Sequence, residues 1–153
     1  MDGGMKDANG MNDAKQRVHD FWNQASCGEP LYLAEWNQAG YRAQAEARYA
    51  LEPYILDFAG FAAARGLRVL EIGVGLGADH QRFAEAGADL WGIDLTERSV
   101  EHTRRRLAAF GLTSHLAVGD AERLEFADAS FDRVYSWGVL HHSPDTPKAI
   151  AEV

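Results

Sequence analysis

Residues 71–80 read "EIGVGLGADH"; they follow the apolar run "LRVL" at 67–70 and place glycines at 73, 75 and 77. A carboxylate that closes a buried strand, followed by glycines at alternate positions, needs a physical reason. Glycine reaches positive φ without steric cost and lets another group come close to the backbone. The stretch therefore reads as a sharp strand-to-helix passage beside a ligand. Glu71 at its entrance implies that the ligand is not purely anionic.

Outward from this turn the apolar pattern sets the fold. "LRVLEIG" (67–73) is short and has no polar face, as a buried parallel strand has none. "ADHQRFAEAG" (78–87) is a helix stopped by glycine, and "DLWGID" (89–94) is a second strand. Residues 96–111 form a helix capped by Thr96, with Ser99 behind it and Gly111 as its stop. "SHLAVGD" (114–120) and "FDRVYSWGVL" (131–140) are the third and fourth strands, and 146–153 opens a helix with Thr146 as cap and Pro147 in its first turn. Such alternation predicts an α/β fold with a doubly wound, Rossmann-like, mainly parallel sheet and right-handed crossovers.

Residues 66–153 thus carry the sheet, and two stretches precede it. Residues 1–11 are polar and rich in Gly, Asn and Asp, and read as a disordered leader. Residues 12–65 form a helical lid or cap region. Within it, 12–23 carries Val18, Phe21 and Trp22 at helical spacing behind an Asn12 or Asp13 cap. A partly helical stretch, 31–50, follows, and then a helix from Pro53 with Tyr54, Ile55, Phe58 and Phe61 as its apolar face, weakened by Gly60 and stopped at Gly66. Phe21, Trp22, Tyr32 and Trp36 form either a lid over the site or ordinary core, and Tyr32 is the one expected to reach the site.

At 153 residues, 46% apolar, the chain is one domain with enough material for a core. A net charge of −8 argues against general binding to a nucleic-acid backbone. A single cysteine, Cys27, makes no intramolecular disulfide and fits a reducing compartment; in its plain context it reads as unreactive. No apolar run approaches the roughly 18 residues of a membrane span, and no secretory signal opens the sequence, so a cytoplasmic protein is expected.

Ligands of doubly wound sheets lie beyond the carboxyl ends of the strands. Glu71, Asp94 and Asp120 stand at three such ends. Asp94, 21 residues after Gly73, is placed to hold ribose hydroxyls. Asp120 can accept from an exocyclic amine such as that of adenine. "GVGLGA" also satisfies the relaxed dinucleotide pattern, and a nicotinamide-dependent oxidoreductase is the rival reading. Glu71 beside a pyrophosphate would repel it, and repulsion in a site of low dielectric is amplified. A cationic, adenosine-bearing ligand with an ammonium group and no phosphate suits all three. Singly, each carboxylate has a plainer use, as a salt-bridged acid, a helix cap or a turn residue; together they must explain three strand ends at once.

The runs "VLEIGVGLGADHQRFAEAGADLWGIDLTERSVEHTRRRL" (69–107) and "GDAERLEFADASFDRVYSWGVLHHSPD" (119–145) resemble class I S-adenosylmethionine-dependent methyltransferases, most of all the type 11 or ubiquinone-biosynthesis-like group. The resemblance covers about Gly66 to Val153; "VHDFWNQASCGEPLY" (18–32) resembles the N-terminal lids of some of these enzymes more loosely. It implies S-adenosylmethionine as cofactor, S-adenosylhomocysteine as product and a small-molecule methyl acceptor. Glu71 with the backbone of Gly73, Val74 and Gly75 would surround the methionine portion, Glu71 near the ammonium or orienting the loop. Asp94 would hold the ribose and Leu95 pack on the adenine. Asp120, with Ala121 beside it, would meet the adenine amine, and carbonyls around Ser136 and Trp137 would face the sulfonium end.

An acceptor that must lose a proton needs a base. His141 and His142, just past the fourth strand, are the candidates by pKa and place, and they serve otherwise to shape the loop. With no third ligand at a recognisable spacing they predict no metal site. His80 is expected to line the cofactor pocket. Complete enzymes of this class have seven strands, so the chain reads as truncated after the fourth, its sheet incomplete at the C-terminus and its acceptor site mostly absent. The apolar "VYSWGVL" (134–140) would then be a bare edge open to self-association. A non-catalytic module that binds the cofactor is the alternative function.

Overall fold

The computed structural model describes residues 13–153. The expected leader and the Asn12 cap lie outside the described residues, and Asp13 is the first residue of helix α1. Four strands form a wholly parallel sheet: β1 (Arg68–Ile72), β2 (Asp89–Asp94), β3 (His115–Val118) and β4 (Arg133–Tyr135), in the order β3-β2-β1-β4. Helix α5 (Ala78–Ala86) links β1 to β2, and α6 (Glu97–Ala109) links β2 to β3. The chain then crosses to the far side of β1 to lay down β4. That reversal opens a crevice beyond the carboxyl ends of β1 and β4, where ligands of open α/β sheets bind.

The central strand shows why the apolar reading of 67–73 was possible. Val69, Leu70, Glu71 and Ile72 are all buried, because helices or loops cover both faces of the sheet. On one face Val69 packs with Ile55, Phe61, Phe83 and Tyr135; on the other Leu70, Ile72 and Ile93 pack with Trp91, Phe126 and Phe131. Thr96 caps α6 by accepting from the Ser99 amide, as the sequence indicates.

Three expectations fail in instructive ways. The fourth strand is only three residues long. Beyond Tyr135 the Ser136 hydroxyl donates to the Ile72 carbonyl, 3.0 Å away, and Gly138 (φ 69°) turns the chain into a short 3₁₀ turn at Leu140–His142. Most of the expected apolar edge is therefore a loop over the crevice. Asp145, not Thr146, caps the last helix, α7 (Thr146–Ala151), by accepting from the Lys148 amide at 3.1 Å. The Thr146 hydroxyl instead donates to the Ser143 carbonyl. The helix expected from Pro53 breaks at Gly60 (φ 57°) into α4 (Ile55–Ala59) and a 3₁₀ turn at Phe61–Ala64. This burial of Ile55 and Phe61 leaves Tyr54 and Phe58 more than half exposed.

The remaining helices, α1 (Asp13–Gln24), α2 (Glu29–Tyr32) and α3 (Gln38–Leu51), lie against this unit. Arg106 of α6, 1% exposed, fastens α3 by donating to Gln44 and the Tyr41 carbonyl while holding Gln81 and the Leu76 carbonyl. Burial pulls its pKa down to about 10, so it stays charged at neutral pH. Among the described residues no helix is long and apolar enough to cross a membrane.

Candidate functional site

The crevice at the strand reversal is a cavity of about 390 Å³, within the range of small-molecule sites. β1 and its turn contribute Glu71, Gly73, Val74 and Gly75 to its wall; β2 contributes Asp94 and Leu95; the loop after β3 contributes Asp120 and Ala121. Trp137, His141 and His142 close it from the loop after β4. The expected cofactor and base residues therefore line one space. Ser136 does not, since its side chain is turned onto β1.

The glycines of the turn have separate reasons. At Gly75 (φ 53°) nothing lies within 4 Å of where a Cβ would stand, so the backbone faces the open cavity. Gly77 is pressed against Thr103 of α6, and Gly73 (φ 84°) against Val139, whose Cγ2 would lie 2.2 Å from an added Cβ. Gly73→Ala combines left-handed backbone strain of about 1–2 kcal/mol with overpacking of about 1–3 kcal/mol. Thermal unfolding should show a loss of a few kcal/mol, of which Val139→Ala in the same chain restores only part, because the Val139 Cβ would still lie 2.9 Å from the added Cβ.

Asp94 holds the turn in shape. One oxygen accepts from the Gly75 amide at 3.1 Å, the other from the Thr96 amide at 3.0 Å and the Thr96 hydroxyl at 2.9 Å. Burial pushes its pKa up, and the Thr96 and Gly75 hydrogen bonds oppose that. The Thr96 hydroxyl is also 3.0 Å from Ser99 Oγ and has one proton to give. Given to Ser99, it leaves each Asp94 oxygen with a lone pair open to a ligand.

Glu71 is buried at the cavity wall with its Oε2 2.8 Å from His80 Nδ1. Burial raises its pKa well above the carboxylate range, Asp79 and Asp94 add to the rise, and Arg48 opposes it. His80 lies behind Glu71 and does not line the cavity, contrary to expectation. The helical register of α5 turns its ring under the strand instead of toward the crevice.

Of the four aromatics expected to form a lid or ordinary core, one reaches the cavity. Trp22 of α1 lines the cavity and meets His142 edge-on at 5.1 Å between ring centroids. Phe21 packs on Trp22 and is mostly exposed; Trp36 stacks on His102; none of Phe21, Tyr32 and Trp36 lines the cavity. Lys15, one helical turn before Val18 and a residue that sequence reasoning missed, hydrogen-bonds Asp120 Oδ2 and, at 2.7 Å, Glu122 Oε2. Burial disfavours its charge, yet these bonds raise its pKa. Its position on the apolar side of α1 was the available sign.

Arg48 was also missed. It lines the cavity from α3 and is held by Asp79, whose Oδ2 accepts from Nη2 at 2.7 Å and whose two oxygens also accept from the Tyr49 and Tyr135 hydroxyls at 2.8 and 2.9 Å. Burial works against the Arg48 charge, but Asp79 raises its pKa. His141 and His142 lie at the cavity mouth with ring centroids 3.9 Å apart and planes tilted by 42°, and burial, with His141 second, lowers the His142 pKa. No group of three His, Cys, Asp or Glu among the described residues is arranged to hold a metal ion.

Comparison with known proteins bears on this geometry. The family described as "Methyltransferase domain" matches residues 69–153. A malonyl-[acyl-carrier protein] O-methyltransferase of Erwinia pyrifoliae is 38% identical over 87 residues, which are 57% of this chain and 32% of that protein. An uncharacterised Mycobacterium tuberculosis protein is 33% identical over 123 residues, 80% of this chain and 44% of its own. The chain thus spans about a third to under half of the length of these curated relatives. The crystal structure of magnesium protoporphyrin IX methyltransferase from Synechocystis with bound S-adenosylhomocysteine superposes with a TM-score of 0.67 at 22% identity, covering 92% of this chain and 66% of that one. At that identity the likeness shows the fold, and its coverage takes in the N-terminal helices.

Proposed function

The chain belongs to the class I S-adenosylmethionine-dependent methyltransferase family, and on that premise we propose that its cavity binds S-adenosylmethionine and presents the methyl group to a small-molecule acceptor. The observation that carries this reading is the charge pattern of the wall: carboxylates at the ends of three neighbouring strands, with the Arg48 guanidinium among them. A methionine end is zwitterionic, and Glu71 suits its ammonium as Arg48 suits its carboxylate. Asp94 has lone pairs for the ribose hydroxyls. Asp120 suits the adenine amine, with Leu95 and Ala121 beside the ring. A pyrophosphate has no use for this end of the wall: burial keeps the Glu71 carboxyl protonated until a cation arrives, so it is a cation, not an anion, that Glu71 rewards.

When bound, the cofactor supplies a methyl group on a sulfonium, ready for in-line displacement. The chain's own work is placement. The backbone of Gly73, Val74 and Gly75 faces the methionine portion and Asp94 fixes the ribose; Trp22, Trp137 and Val139 keep water from the methyl end. Orientation of that kind is worth roughly 7–11 kcal/mol of the barrier. For an acceptor that must lose a proton, His141 or His142 takes it at the cavity mouth. The net charge of −8 favours a small acceptor over a nucleic acid. The exposed thiol of Cys27 fits a reducing, cytoplasmic setting.

Calorimetric titration tests the reading. S-adenosylmethionine and S-adenosylhomocysteine should bind with one site per chain, and reduced nicotinamide adenine dinucleotide should not. The reverse preference would overturn the proposal. Binding without turnover on any acceptor would mark a cofactor-binding module.

A further inference from the structure

Behind the Glu71 carboxyl the structure holds a second layer that cofactor placement does not use. His80, fully buried, bridges Glu71 and Ser114: Nδ1 is 2.8 Å from Glu71 Oε2, and Nε2 is 2.7 Å from Ser114 Oγ. Ser114 is half-buried, at the amino end of β3, on the side of the sheet away from the crevice. The ring has a seat made for it. Gly92 of β2 lies in register with Glu71, and a Cβ there would stand 2.6 Å from His80 Cε1. The three side chains form a continuous line from the cavity wall to the protein exterior.

We propose that Glu71, His80 and Ser114 form a proton relay through which Glu71 discharges its proton to solvent, behind the cavity, when an ammonium-bearing ligand fills the cavity in front. The inference rests on the cofactor reading for the identity of that ligand. Without ligand, the neutral Glu71 carboxyl donates to Nδ1, and Nε2–H donates to Ser114 Oγ. On binding, the Glu71 proton moves to Nδ1, the Nε2 proton moves to Ser114 Oγ, and the original Ser114 hydroxyl proton leaves to water. Glu71 is then a carboxylate accepting from Nδ1–H, and Ser114 donates to the Nε2 lone pair. One proton is released, and the imidazole is neutral at both ends of the step, having only exchanged tautomers.

The surroundings support each part. Burial lowers the His80 pKa to about 3, so the ring beside a protonated Glu71 is neutral imidazole. Around Glu71 stand Asp79 of α5 and Asp94 of β2, which favour its protonated form, Arg48 of α3, which opposes it, and the Tyr135 hydroxyl of β4. A ligand ammonium adds a second cation to Arg48 and tips the balance toward the carboxylate. The sign follows: below the raised Glu71 pKa, binding expels a proton, so affinity climbs with pH by about tenfold per unit until that pKa is passed.

The test uses the whole chain labelled with ¹⁵N-histidine, with His80→Asn serving only to assign the His80 resonances. In the ligand-free protein, raising the pH through the elevated Glu71 pKa should convert His80 from the Nε2–H to the Nδ1–H tautomer with no imidazolium stage. Saturation with S-adenosylhomocysteine should do the same at fixed pH. Calorimetry in buffers of different ionisation enthalpy should then count up to one proton released. 5′-Methylthioadenosine, which keeps the ribose and adenine but lacks the amino-acid end, should release none through Glu71, and Glu71→Gln should abolish the release. An unchanged His80 tautomer in both titrations, or equal proton release from Glu71→Gln, overturns the relay. Failure of S-adenosylhomocysteine to bind overturns the cofactor reading instead, and the ligand-free pH titration still decides the relay.

Discussion

Asp94→Ala should weaken S-adenosylmethionine binding by at least about a hundredfold. Two ribose hydroxyls donating to a carboxylate contribute about 1.5–3 kcal/mol each, and every 1.4 kcal/mol is tenfold. A second cost is internal. The Gly75 amide and the Thr96 amide and hydroxyl all donate to Asp94 in the free protein. Alanine strands them and loosens the turn whose open backbone faces the ligand. Asp94→Asn, which keeps an acceptor for some of these donors, should fall between. The comparison is calorimetric, with thermal unfolding to show that each variant is folded. Affinity within threefold of the parent chain would mean that Asp94 only shapes the turn and caps α6, and that the nucleoside is anchored elsewhere.

The hydrogen bonds by which Asp94 shapes the turn and the start of α6 are local, and so was the part of the site that was legible. Strand ends, glycines and acids recur at fixed spacing because a parallel sheet repeats its geometry, so Glu71, Asp94 and Asp120 could be read from order alone. The boundaries of β2 and the Thr96 cap were equally local. What failed was tertiary. Residues 136–140 are apolar enough for a strand, yet Ser136 bonds the end of β1 and Gly138 turns the loop over the crevice. No window of sequence shows that choice. Arg48 and Asp79, 31 residues apart, are ordinary charged helix positions until α3 is laid against α5. Tyr32 is the aromatic expected to reach the site, but the turn at Gly28 starts α2 on a course that takes it elsewhere.

The Arg48–Asp79 pair carries the largest expected loss of stability. Asp79 is 3% exposed and receives the Arg48 guanidinium and two tyrosine hydroxyls, from α3 and from β4. Breaking a buried pair by removing one partner costs about 3–5 kcal/mol. For a domain of this size that lowers the unfolding midpoint by about 10 °C or more. Asp79→Ala should show that loss in full, since three donors are left without their acceptor. Arg48→Met should cost less, because Tyr49 and Tyr135 still satisfy Asp79, and the double variant should not add the two losses. The functional consequence is separable from the structural one. Arg48 released from Asp79 no longer presents its guanidinium to the cavity, so S-adenosylhomocysteine should bind Asp79→Ala at least about tenfold more weakly. 5′-Methylthioadenosine has no carboxylate to lose and should bind nearly as before at a temperature where the variant is folded. Equal losses for the two ligands would mean that the cavity itself has collapsed, and would remove the case for Arg48 as the anchor of the amino-acid end.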